Sequence, residues 1–171
     1  MIKNDYTVRS QKFVQQVFPY IMRYMRGPHE YKMDEAICRF NADKHRFVKF
    51  NWGCSRRVLI TSDYVVKWDK CEERAFCGSC EDEYKAYLFV KETKFAYLFA
   101  EIFKFEYRGY TFYVMPRVYN IHGNSGFFVQ AYCTAEEKAF LNEHFHDLHD
   151  ENYGFKDGHP VIFDYAWNRV E

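Results

Sequence analysis

From Arg46 the apolar side chains fall on alternate residues: Val48, Phe50 and Trp52 interleave with Lys49 and Asn51 up to Gly53. A period of two commits a segment to β-structure with one buried face. Val58-Leu59-Ile60, the turn Thr61-Ser62-Asp63 and Tyr64-Val65-Val66-Lys67-Trp68 follow, so a three-stranded antiparallel meander is expected. The period then changes. Residues 81–92 read as a helix with Tyr84, Tyr87, Leu88 and Lys91 on one face. Residues 98–107 and 110–118 read as a hairpin turning at Arg108-Gly109. Residues 135–146 form a helix capped by Thr134, with Glu136 and Glu137 in its first turn. A last hairpin joins 153–155 to 160–163 around Lys156-Asp157-Gly158. Strands and helices in this order predict an α+β chain with an antiparallel sheet.

Upstream, Phe13, Val14, Val17, Phe18, Ile21, Met22 and Met25 are spaced as one helical face over residues 9–26. Ser10 is its candidate cap and Pro19 a candidate kink, and Gly27-Pro28 ends it. Residues 33–41 fit a second short helix, so 1–45 is expected to be an added helical layer. A chain of 171 residues buries roughly 70% of its unfolded surface. Its 18 Phe, 15 Tyr and 3 Trp favour a packed core over disorder. Lys plus Arg equals Asp plus Glu at 24 each, which gives no reason to expect nucleic acid or a charged membrane surface as a partner. No apolar run approaches the ~20 residues of a membrane span. Met1-Ile2-Lys3-Asn4-Asp5 lacks a secretory apolar region, so a cytoplasmic location with reduced cysteines is expected.

The chemistry concentrates near the C-terminal end. Asp147-Leu148-His149-Asp150-Glu151-Asn152 is followed by Val161-Ile162-Phe163-Asp164: an acid, an amide, then an acid closing an apolar strand. Phosphoryl transfer needs such a set, with one acid to orient the attacking hydroxyl and further oxygens to hold magnesium against the phosphates. Asp164 at a buried strand end needs a partner or a metal to offset its desolvation. The competing explanation is turn chemistry, since Asp and Asn also satisfy loop backbones.

The chain resembles the kinase-like fold, and most closely the minimal kinase-like proteins of bacteria and their phages. The pieces are Gly53-Cys54-Ser55-Arg56-Arg57, Val65-Val66-Lys67, Glu83-Tyr84, Asp147-Leu148-His149-Asp150-Glu151-Asn152-Tyr153-Gly154 and Val161-Ile162-Phe163-Asp164-Tyr165, covering about residues 46–168. The resemblance implies a small lobe over 46–118, made of a five-stranded antiparallel sheet and one helix. A minimal remnant of the large lobe would occupy 119–171. It implies Lys67 on the nucleotide phosphates, Glu83 (rather than Glu81) as the carboxylate partner of that lysine, and Asp147 on the incoming hydroxyl. Asn152 and Asp164 would hold Mg, Gly53, Ser55 and Arg56 would line a phosphate loop, and Met115 and Val118 would meet adenine at a hinge. The cofactors so implied are ATP and Mg.

Several features depart from that pattern. Gly53 is the one glycine of the loop, and Arg56 and Arg57 are either phosphate ligands or surface charge. His149 stands two after Asp147, as in aminoglycoside and choline kinase-like enzymes. The chain ends at Glu171, soon after Asp164, where an ordinary kinase continues. Either the N-terminal helices or a partner brace the site, or the protein binds without catalysing. His144-Phe145-His146-Asp147-Leu148-His149 is close to a metallohydrolase ligand pattern, with its acid one place early. Cys71, Cys77 and Cys80 have zinc-knuckle spacing, with free cysteines as the plainer account. The aromatics between Tyr97 and Tyr113 are expected as core on one face, and any exposed face as an interaction surface. Two functions follow: a minimal phosphotransferase from Mg-ATP to a hydroxyl, expected on a protein, or a catalytically silent kinase-fold effector that docks on a host or partner protein. A phage-encoded chain would act in the host cytoplasm.

Overall fold

Among the described residues two helices, a meander, a third helix, a hairpin, a fourth helix and a second hairpin follow one another. The computed structural model describes residues 5–25, 29–53, 55–70, 79–120, 129, 131–145, 148 and 152–165. Among these the architecture is α+β with a five-stranded antiparallel sheet and four α-helices. Contacts divide the chain into two units, Met1–Cys80 with Ile102–Arg117, and Glu81–Glu101 with Val118–Glu171.

In the first unit, α1 (Asp5–Ile21) and α2 (Glu30–Lys44) precede the meander β1 (Lys49–Trp52), β2 (Arg56–Ile60) and β3 (Tyr64–Asp69). The hairpin β4 (Phe103–Tyr107) and β5 (Tyr110–Pro116) returns so that β5 lies beside β3, giving the order β1-β2-β3-β5-β4. Arg108 (φ 53) and Gly109 (φ 78) are both left-handed, the backbone that a two-residue hairpin turn demands. Pairing Tyr64 with Pro116 and Lys67 with Tyr113 fixes the β3–β5 register.

One face of this sheet carries the core. Leu59, Tyr64, Val66, Trp68, Phe112 and Val114 pack there with the inward stripes of the helices: Phe13, Val14, Val17 and Ile21 from α1, Met33, Ile37 and Phe40 from α2. Phe13 meets Tyr64 edge-on at 5.8 Å and Phe18 meets Tyr107 at 5.2 Å. Each such side chain contributes about 1.5–3 kcal/mol on burial. Ser10, expected as a cap, instead lies buried inside α1 and donates to the Thr7 carbonyl at 3.0 Å, because the helix begins upstream. Pro19 falls in the last turn, and α1 gives way to the 3-10 turn Met22–Tyr24. In β4, Phe103, Phe105 and Tyr107 are half-buried against the core while Lys104 and Glu106 face out, as the alternation predicts.

Arg57 is neither a surface charge nor a phosphate ligand. Its side chain is 1% exposed on the core face, and its Nη1 donates to the Met25 carbonyl at 2.6 Å. Glu30 at the start of α2 lies 3.9 Å from Nη2 and accepts from Lys70 Nζ at 2.8 Å. The sequence pattern could not reveal this, since its acceptors come from a turn and a helix start remote in sequence.

In the second unit, α3 (Ser79–Lys91, shared at its first two residues with the first unit) leads into a 3-10 turn at Ala96–Leu98. Leu98 was expected in a strand. It belongs to this turn instead, and Phe99 makes a parallel bridge to Ile162. The buried stripe of α3 is Cys80, Glu83, Ala86, Tyr87 and Val90, so Leu88, expected inward, is 42% exposed. Helix α4 (Ala135–His144) has the anticipated capping box, in which Thr134 Oγ1 accepts from Glu137 N and Glu137 accepts from Thr134 N. A three-stranded sheet joins β6 (Tyr119–Asn120), β7 (Tyr153–Lys156) and β8 (His159–Ile162). Gly154 faces β6 so closely that a Cβ there would strike the Tyr119 carbonyl and come within 2.6 Å of Val118 Cγ1.

Two outcomes test this packing. Gly154→Ala is expected to lose about 1–3 kcal/mol in denaturant unfolding, because the obstacle is backbone. The Lys70 hydrogen bond, opposed in part by burial, holds the Glu30 carboxyl below its usual range. Its contribution to stability is therefore full above the ordinary value near pH ~4.3 and is lost as pH falls through the lowered folded value. Glu30→Gln should be less stable at neutral pH and show a shallower loss in acid than wild type, measured by thermal melts across that window.

Candidate functional site

Cross-strand register assembles one group of candidate residues on the sheet face opposite the core. Arg56 stands across from Asp69, Val58 across from Lys67, and Lys67 across from Tyr113, with Val65 across from Met115. Residues directly opposite share a face, with Cβ atoms about 4.5–5.5 Å apart. Arg56, Lys67 and Met115, distant in sequence, therefore line one surface, with Val58 and Val65 as apolar floor. Lys67 is 5% exposed there. Gly53 and Ser55 sit at the β1–β2 connection: the Gly53 N–H donates to the Arg56 carbonyl at 3.0 Å, and the Ser55 carbonyl accepts from the Lys70 main-chain N–H at 3.0 Å. A Cβ at Gly53 would meet nothing within 4 Å, so packing does not demand glycine at that connection.

At the end of β3, the Asp69 carboxylate caps the first residues of α3. It accepts from Cys80 N at 2.9 Å and from Ser79 Oγ at 3.0 Å. A carboxylate at a helix N-terminus satisfies orphan N–H groups and complements the dipole.

The second group lies in the other unit. The turn residues of β7–β8, Asp157 (φ 52) and Gly158 (φ 79), are both left-handed, which closes the hairpin in two residues and fixes its register. At the open end Tyr153 pairs with Ile162, and the Phe163 N–H donates to the Asn152 carbonyl at 2.8 Å. That bond extends the ladder by one step and brings Asn152 beside the strand end that delivers Asp164. The backbone of Asp164 is left-handed (φ 61), a conformation uncommon for a side-chain-bearing residue and concentrated at functional sites. Its neighbour Tyr165 anchors the segment. Tyr165 is 1% exposed, stands edge-on to Phe99 at 5.1 Å and to Phe145 at 5.9 Å, and donates to the Ala100 carbonyl at 3.3 Å. Burial pushes the Tyr165 hydroxyl well above its ordinary pKa, and the nearby Glu83 charge pushes the same way. Glu83 is 3% exposed, whereas its rival Glu81 is half-buried.

An amide oxygen and a carboxylate at one strand end are hard donors of the kind magnesium takes, alongside water and phosphate. Among the described residues no three His, Cys, Asp or Glu side chains gather as a metal cluster. Cys80 is a buried helix residue, and its presumed fellow ligands Cys71 and Cys77 lie outside the described residues, as do Asp147, His146 and His149. His144 ends α4 against the Phe140 ring at 4.8 Å and the Phe89 ring at 5.2 Å. Val118, half-buried, precedes β6, while Met115 is buried in β5. Sequence reasoning did not single out Asp69 and gave Tyr165 no role beyond its place in the motif; the acid ending β3 ahead of a helix was the available signal for the first.

No protein-family model, curated protein or solved structure matches this chain. Among the described residues no helix is long and apolar enough to cross a membrane.

Left-handed backbone at residue 164 makes a prediction independent of any activity. Asn tolerates this conformation and a β-branched side chain does not. Asp164→Asn should melt close to wild type, whereas Asp164→Val should lose about 1–3 kcal/mol in the same denaturant titration.

Proposed function

We propose that the protein is a minimal kinase-fold phosphotransferase that moves a phosphoryl group from Mg-ATP to a hydroxyl, with a protein as acceptor. The observation that supports this most is the Asn152–Phe163 backbone bond, which brings the main chain of Asn152 beside the strand end that leads into the left-handed Asp164. The sheet adds support: the chain order of a three-strand meander, a helix and a returning hairpin agrees with the small-lobe plan that the resemblance implies, and Lys67, Arg56 and Met115 share one face of the sheet.

In this proposal Lys67 and Arg56 neutralise phosphate charge, the valine floor and Met115 receive the adenine, and Asn152 and Asp164 hold magnesium. The ion would supply charge neutralisation on the phosphates. Asp147 orients the acceptor hydroxyl, so that positioning and electrostatics do the catalytic work. A second proposal, a catalytically silent kinase-fold effector of a phage or bacterium, draws on Phe47, which is 97% exposed and suits a docking protein.

Thermal shift separates the two. Mg-ATP at 100 times its Kd should add about 2.7 kcal/mol, and Lys67→Met should remove the gain. Asp147→Asn should keep the nucleotide shift and the fold while abolishing transfer of labelled phosphate to protein acceptors. No shift with wild type would favour the silent effector; unchanged transfer by the Asp147 variant would strip that residue of its role.

A further inference from the structure

Within the first unit, a groove of about 540 Å³ opens between α1, the α2–β1 connection and the β2–β3 turn. Four basic side chains line it: Arg9 and Lys12 from α1, His45 and Arg46 from the connection. The acid on its wall, Asp63, is already bonded to Arg9. Tyr64 and Phe13 form its floor. Burial pushes the Tyr64 hydroxyl up to about 12 against the opposing pull of the Arg9 and Arg46 charges, which places both guanidinium groups near it. In a chain of zero formal net charge, cations outnumber acids among the described residues that line this groove.

Phe47 stands at the rim, 97% exposed. It is not on a loose loop. The Asn41 side chain clamps Val48 from both sides, accepting from its N–H at 3.0 Å and donating to its carbonyl at 2.8 Å. The His45 N–H closes onto the Asn41 carbonyl through a left-handed cap, and the Arg46 N–H reaches the same carbonyl at 3.1 Å. The opposite wall is equally fixed: Thr61 Oγ1 accepts from Tyr64 N at 3.1 Å and donates to its carbonyl at 2.8 Å, and Arg117 Nη1 donates to the Thr61 carbonyl at 3.0 Å. A rigidly presented aromatic beside unbalanced cations is the make-up of a peptide-docking hot spot, because little ordering remains to be done on binding.

We infer that this groove docks an acidic peptide segment of a partner protein, with Arg46 and Lys12 taking carboxylates and Phe47 taking an apolar side chain between them. The inference does not depend on nucleotide binding or phosphoryl transfer, since none of its residues is among those assigned to that chemistry.

The test uses the full chain and a short fluorescein-labelled peptide alternating glutamate with phenylalanine, read by fluorescence anisotropy with no nucleotide present. Wild type should bind, more weakly as salt screens the charges. The double variant Lys12→Glu, Arg46→Glu should weaken binding on the order of tenfold or more. Phe47→Ala should weaken it without lowering Tm, because the ring is exposed. The control Lys91→Glu, Lys104→Glu should bind as wild type does. Equal binding by the groove and control variants would overturn the inference, as would failure of wild type to bind. Tighter binding of a labelled oligothymidylate with the same variant sensitivity would also overturn it, by making the groove a nucleic-acid site.

Discussion

Strand β3 has a hydrogen-bonded neighbour on each side, and much of the first unit depends on that position. Its alternate residues divide two environments. Tyr64, Val66 and Trp68 enter the core shared with α1 and α2, while Val65, Lys67 and Asp69 project from the other face. A one-residue slip would exchange these sets, placing an ammonium in the aromatic core and a tryptophan on the face proposed for the nucleotide. Pairing on both edges, with β2 and with β5, makes such a slip costly. The same strand ends in the carboxylate that caps α3, so one register sets the core, the candidate face and the start of the next helix.

The hairpin β7–β8 plays a comparable part in the second unit on a smaller scale. Two left-handed turn residues fix its pairing, Gly154 admits β6, and one added backbone bond carries the ladder to Asn152. Tyr165 then anchors the chain in an aromatic cluster, so that Asp164 is held between a strand end and a buried ring. Strained backbone persists where its surroundings over-determine it. Here the ladder on one side and the buried tyrosine on the other supply that constraint.

Charge is handled differently in the interior and at the rim. Arg57 is buried among apolar residues, and its charge is balanced by Glu30 and a main-chain carbonyl, an arrangement that ties the helical layer to the sheet. At the groove beside α1, the basic side chains exceed the acids among the described lining residues, and side-chain bonds from Asn41 and Thr61 hold the main chain of Val48 and Tyr64. The first arrangement serves cohesion. The second gathers cations around an open groove.

The amino-acid sequence by itself determined the elements whose signals are local: the alternating meander, the capping box at Thr134, the Arg108-Gly109 and Asp157-Gly158 turns, and the acid–amide–acid order near the C-terminal end. Each needs only a period or a backbone conformation that neighbouring residues dictate. Which helix face turns inward at Leu88, the end of the strand expected from Leu98, the burial of Arg57 and the meeting of Arg56, Lys67 and Met115 were decided by the tertiary structure. These depend on partners far along the chain, and burial is a property of what those partners cover, which no local pattern encodes.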